Sequence, residues 1–143
     1  AKMGAQDLLL DRGPGVATQR RARGQRAYWA GVAAEAAVER TYLARGAQLL
    51  QRRWRGKAGE IDLIFSDPLS GEGAPIFTEV KAARTHASAA HALRPAQARR
   101  LCLAGQEFAA GRPTGQLTPM RFDLAMVDGQ GQVALVQNAI GEF

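Results

Sequence analysis

Two short runs constrain this chain more than anything else in it: Gly59-Glu60-Ile61-Asp62-Leu63-Ile64 and, after a polar stretch containing Gly and Pro, Phe77-Thr78-Glu79-Val80-Lys81. Both predict strands. Side chains of a strand alternate between faces, so Ile61, Leu63 and Phe65 should share one face with Asp62 on the other, while Glu79 and Lys81 share a face of their own strand. Residues 66–75 (Ser-Asp-Pro-Leu-Ser-Gly-Glu-Gly-Ala-Pro) are too few and too rich in Gly and Pro for a crossover helix, so the strands should pair antiparallel. A symmetric hairpin centred on Gly71 sets Asp62 opposite Val80. An offset of one residue is needed to bring Asp62 onto the face of Glu79 and Lys81.

Such a trio has a definite chemistry. Hydrolysis of a phosphodiester needs its anionic transition state neutralised and a water made more nucleophilic, and a divalent cation held by hard oxygen ligands does both. Asp62 and Glu79 would supply the oxygens. An ammonium beside two carboxylates keeps its charge, so Lys81 is read as orienting the attacking water or stabilising charge on the phosphate rather than as a free base. The plainer alternative is a surface ion pair between Glu79 and Lys81. A fourth acid, Glu35, falls within an apolar stripe of Tyr28, Val32, Val38 and Tyr42 on a helix predicted over residues 25–45. A carboxylate there needs a partner. Two readings stand at this point: a helix-edge Glu paired with an Arg, or a further acid reaching the metal site.

Gly31 to Glu35 in the first helix, the Gly-Glu-Ile-Asp-Leu-Ile run, the Phe-x-Glu-Val-Lys run, Arg121-Phe122-Asp123 and a closing Asn138-Ala139 together resemble the YraN family. Its members are small bacterial proteins related to archaeal-type Holliday junction resolvases within the PD-(D/E)xK nuclease superfamily. The resemblance runs from about Gln25 to Ile140. It implies a restriction-endonuclease-like α/β fold, Asp62 and Glu79 as ligands of Mg²⁺ or Mn²⁺, Lys81 as the catalytic lysine and Glu35 as the helix acid. Gln97 matches a glutamine that follows a lysine in many members, although Ala96 stands here in place of that lysine. Arg53-Trp54 likewise stands where relatives often have Asn before an aromatic. Junction resolvases commonly work as symmetric dimers, so the resemblance also implies a homodimer.

Composition narrows the partner. The chain has 143 residues, one domain's worth, with a net charge of +6 from 19 Lys+Arg against 13 Asp+Glu and a pI near 10.4. This balance favours a polyanion, and the excess of Arg suits bidentate phosphate contact; the plainer source of a chain this rich in Ala, Gly and Arg is the base composition of the genome. Arg52, Arg53 and Arg55 at the end of a strand predicted over residues 47–54, and Gln97, Arg99 and Arg100 near the start of a helix predicted over 95–110, are the candidate nucleic-acid contacts. Trp54 reads as core or rim before it reads as a base-stacking platform. One Cys and two His exclude a zinc site of the Cys/His type. Cys102 has no partner within the chain for a disulfide, and no apolar run is long enough to span a bilayer, so the expected compartment is the cytoplasm.

Residues 1–24 carry Gly13-Pro14-Gly15 and Arg20-Arg21-x-Arg23 with little periodicity, and predict a mobile basic tail ahead of a nuclease-like domain over residues 25–143. Gly46 should end the first helix. A loose stretch over residues 82–92 holds His86 and His91, to which no role is assigned. Residues 120–127 and 132–137 predict a last hairpin about Asp128-Gly129-Gln130-Gly131. Asp123 lies opposite Phe122 and Leu124 in the alternation and reads as a structural partner for an Arg. The order helix, strand, hairpin, helix, hairpin gives a mixed sheet flanked by helices. The leading expectation is a Mg²⁺-dependent DNA endonuclease selective for branched DNA; the rival is a nucleic-acid-binding protein on a nuclease-like scaffold that does not cleave.

Overall fold

A computed structural model describes residues 12–70, 73–85 and 94–140. His86, His91 and Gly71 lie outside the described residues. Five strands form one mixed sheet in sequence order: β1 (Gln48–Arg55), β2 (Glu60–Ser66), β3 (Pro75–Ala82), β4 (Arg121–Val127) and β5 (Val133–Val136). Neighbours pair antiparallel except β3 and β4, which run parallel and are joined through helix α2 (Pro95–Ala110), as a parallel pair requires. The expected α/β fold of restriction-endonuclease type, a mixed sheet between helices, is what the chain adopts.

Helix α1 spans Arg12–Ala44. Its start lies well before the expected Gln25: Pro14 falls in the first turn, where its missing N–H is tolerated, Ala and Arg are strong helix formers, and an interior Gly such as Gly24 costs only about 1 kcal/mol. The stretch through Val32 is a unit of its own; from Ala33 onward the chain forms the sheet unit. Gly46, with φ of +91°, supplies the left-handed turn that ends α1. In the sheet unit, Ala34, Val38 and Tyr42 of α1 pack with Leu63, Phe65, Ile76 and Ala125 on one face of the sheet. The other face packs Ile61, Ile64, Phe77 and Phe122 against Leu101, Cys102 and Ala104 of α2. Gly105 lets α2 come this close: a Cβ there would meet the Phe122 ring at 2.7 Å.

One face assignment differs from expectation. Ile61 joins Ile64 on the α2 side, away from Leu63 and Phe65. Its partner across the ladder is Trp54, just past Arg53, whose φ of +50° breaks the regular alternation of β1. Trp54 is accordingly a packing residue, edge to face with Phe108 at 5.4 Å.

Candidate active site

The register of the β2–β3 hairpin decides whether the acids meet. The pairs Leu63↔Thr78, Ile64↔Phe77 and Ser66↔Pro75 are offset by one residue from the symmetric hairpin, and continuing them brings Asp62 level with Glu79. Asp62 Oδ2 accepts from the Val80 N–H at 2.8 Å, which pins its carboxylate to β3. The Glu79 carboxyl is hydrogen-bonded to that of Asp62. Glu79 is 8% exposed, and the parallel ladder sets it beside Leu124 and Lys81 beside Met126, so the β4 side of the pair is apolar. Burial first, and then Asp62, push the Glu79 carboxyl up to about 8, against the opposing pull of Lys81 and Gln97. These surroundings favour the neutral form of Glu79.

Two further groups converge on Glu79. Gln97 Nε2 donates to its Oε2 at 2.5 Å, placed there because Pro95 starts α2 and puts Gln97 in the first turn, above the sheet. Lys81 Nζ stands 3.7 Å from the same oxygen. Gln97, a candidate nucleic-acid contact from the sequence, thus sits inside the acidic centre. Its contact could not be read from spacing, because it depends on how closely α2 approaches β3.

Of the two sequence readings of Glu35, the structure shows the pairing with an Arg. Glu35 accepts from Arg53 Nε at 3.1 Å, and its carboxyl is raised by burial, with Arg53 opposing and the charge of Asp62 reinforcing the shift. The helix acid is thus tied to β1 and feels the centre electrostatically. Arg52 makes a two-pronged pair with Glu39 at 2.9 Å on each arm, and Arg55 pairs with Glu60 at 3.2 Å. Arg99 and Arg100 are exposed on α2.

On the opposite side of the sheet Asp123 is closed off. Its Oδ1 accepts from Arg121 Nε at 3.0 Å and the Asn138 N–H at 3.0 Å; its Oδ2 accepts from Arg121 Nη2 at 3.1 Å and the Tyr42 hydroxyl at 2.6 Å. Thr78 donates to Tyr42 at 3.1 Å. Burial and Asp123 push the Tyr42 hydroxyl well up, which keeps it a donor. All four acceptor sites of the carboxylate are used. Asp123 is thus the structural partner of an Arg, as its place in the alternation predicts.

Among the described residues no three His, Cys, Asp or Glu side chains gather into a metal cage. Magnesium needs no such cage: it is commonly held by one or two carboxylates with water and substrate phosphate oxygens completing the shell. Two carboxyls joined through one proton are a pair of hard oxygen donors whose proton a divalent cation can replace. Asp62 and Glu79 fit that description.

Comparison with known proteins agrees with the resemblance read from the motifs. Residues 34–127 match the model of the uncharacterised protein family UPF0102, the YraN family, a span that contains Glu35, Asp62, Glu79, Lys81 and Asp123. The chain is 52% identical over 119 residues to a UPF0102 protein of Ruegeria pomeroyi, covering 83% of this chain and 94% of that protein. It is 50% identical over 121 residues to one of Ruegeria sp. strain TM1040, covering 85% and 94%. A third, from Cereibacter sphaeroides, is 49% identical over 117 residues, covering 81% and 96%.

Proposed function

The chain belongs to the uncharacterised protein family UPF0102, and on that premise we propose that it is a metal-dependent endonuclease that hydrolyses DNA phosphodiester bonds, with selectivity for branched DNA. One observation carries the reading: Glu79, buried beside Asp62, with Lys81 and Gln97 at the same carboxyl oxygen, in surroundings that push its ionisation up. A purely structural carboxyl gains nothing from being held this far above its ordinary range, whereas perturbed acids gathered with a lysine are characteristic of functional centres.

In this reading Asp62 and Glu79 would hold Mg²⁺ or Mn²⁺, which would supply Lewis-acid stabilisation of the phosphate and a more acidic water, with Glu79 ionised in the loaded site. The Val80 N–H keeps Asp62 oriented, and Gln97 fixes the rotamer of Glu79. Lys81 stabilises the negative charge that develops on the phosphate oxygens. Glu35, held by Arg53, adds negative charge beside Asp62. Arg52, Arg53, Arg55, Arg99 and Arg100 supply phosphate contacts. The cytoplasm as compartment and the homodimer belong to the same proposal; among the described residues no helix is long and apolar enough to cross a membrane.

The test is incubation of the purified chain with branched, single-stranded and duplex DNA, with and without Mg²⁺ or Mn²⁺. Metal-dependent cleavage, strongest on the branched form, is the expected result. Protein that binds these DNAs yet cuts none of them with either metal sinks the enzyme and leaves a binding protein on a nuclease-like scaffold.

A further inference from the structure

The stretch of α1 through Val32 has a charge pattern that the acidic centre does not explain. Arg20, Arg21, Arg23 and Arg26 are all exposed, and no Asp or Glu occurs between Ala17 and Ala34. Among the described residues none of the four has a carboxylate partner. This sets them apart from Arg52, Arg53 and Arg55 of the sheet unit, each of which is paired. Arg20 and Arg23 lie along the line of Ala27 and Ala30, whereas Arg21 lies along that of Gln25 and Tyr28, so the cations face more than one side of the helix.

That pattern is costly for an isolated helix. Arg20 with Arg23, and Arg23 with Arg26, are like charges three residues apart, each pair unfavourable by a few tenths of a kcal/mol, about 0.2–0.5. Gly24 and Gly31 each cost about 1 kcal/mol relative to Ala. A polyanion laid along the helix would remove the repulsion. The same pattern argues against the other occupants. A second copy would bring cations against cations. An anionic membrane would need one broad apolar face to bury, and here cations interrupt the circumference.

We infer that residues 17–32 of α1 form a second nucleic-acid contact, an arm that grips the phosphate backbone through Arg20, Arg21, Arg23 and Arg26. Trp29, 65% exposed and edge to face with Tyr28 at 5.2 Å, stands beside this arm as a stacking surface. The arm rests on the reading that the partner is nucleic acid, and it does not depend on cleavage.

The experiment compares the full chain with a variant carrying Arg→Gln at all four positions, and with an Arg→Lys set at the same positions that keeps the charge. Binding of labelled duplex DNA is followed across a salt series, with melting temperature as the control for folding. Each lost phosphate contact lowers the log–log salt slope by about 0.9, so the Gln set should lose about 3–4 in slope and the Lys set should keep most of it. Wild-type and Gln variant with the same slope overturn the arm, as does wild-type protein that binds no DNA. Capture by phosphatidylserine vesicles with no loss of DNA slope in the Gln variant overturns it in favour of a membrane. Absence of cleavage with the slope difference intact removes the endonuclease and leaves the arm standing.

Discussion

Two carboxylate sites lie on opposite faces of the same sheet, and they have been treated very differently by the chain. Asp123 accepts four hydrogen bonds, two of them from one Arg, and nothing further can reach it. The pair of Asp62 and Glu79 has a backbone N–H, a Gln and a Lys, and burial beside Asp62 pushes the ionisation of Glu79 up. The contrast separates structure from chemistry. A buried charge that is fully paired is costly to break and has no capacity left, whereas an incompletely paired one costs stability and can exchange a proton.

An aspartate exchange at each of the two sites should therefore fail in opposite ways, and this is the largest effect expected. Asp62→Asn removes a metal ligand, and Mg²⁺-dependent cleavage should fall by about 10³-fold or more, with DNA binding kept or tightened. The melting temperature should change little, since the replacement amide keeps an oxygen for the Val80 N–H and an N–H for the Glu79 carboxyl. Asp123→Ala leaves Arg121 and Tyr42 without their acceptor and should cost about 3–5 kcal/mol in denaturant unfolding. If Asp62→Asn proves the more destabilising of the two, the contrast collapses.

How much of this was legible in the sequence follows from which interactions are local. The β2–β3 hairpin, Asp62 with Glu79 and Lys81, the last hairpin about Asp128 and the structural role of Asp123 follow from alternation and turn composition. Register did not. It is set by a whole ladder of pairs, and the one-residue offset that aligns Asp62 with Glu79 is invisible in any single segment. The left-handed backbone at Arg53, which is not Gly, has no sequence signature, and neither does the packing of Ile61 with Ile64. Gln97 was legible only as a match to a family position. Its role at Glu79 needs the close approach of α2 that Gly105 permits.

Gly105 gives the next test, because it couples packing to the centre. Gly105→Ala would press a methyl into Phe122 and Phe77 and push α2 off the sheet, with a cost of about 1–3 kcal/mol. The displacement should loosen Gln97 from Glu79, while Asp123, on the other face, keeps its partners. In practice the variant should bind Mg²⁺ more weakly by calorimetric titration. A variant that loses stability but titrates metal like wild type would show that Gln97 does not position the acid.

Proton linkage sharpens the same comparison on a smaller scale. The Glu79 carboxyl sits at about 8 in the folded chain, above the ordinary carboxyl value of 4.5. Its contribution to stability is therefore full below about 4.5 and is lost as pH rises through about 8. Metal competes for the same oxygens. Below pH 8 the apparent affinity should rise about tenfold per pH unit, equivalent to about 1.4 kcal/mol, and then level off. The Mg²⁺-induced increase in melting temperature should follow this rise, and Glu79→Gln should flatten it. A metal increment that does not change between pH 6 and 9 would separate metal binding from the shared proton.

The smallest effect on stability is expected at the exposed pairs of β1, and it asks whether those arginines belong to the fold or to the partner. The Arg55 side chain is 79% exposed in its pair with Glu60, and such pairs contribute about 0–1 kcal/mol. Arg55→Gln should thus leave the melting temperature almost unchanged. If a phosphate takes over from Glu60 when DNA binds, the same variant should lower the log–log salt slope by about 1. Glu60→Gln should do the reverse: it frees Arg55 from its competitor and raises affinity at every salt concentration. The pair of variants tells a held cation from a spent one, since an arginine committed to the fold would shift melting in both variants and the salt slope in neither.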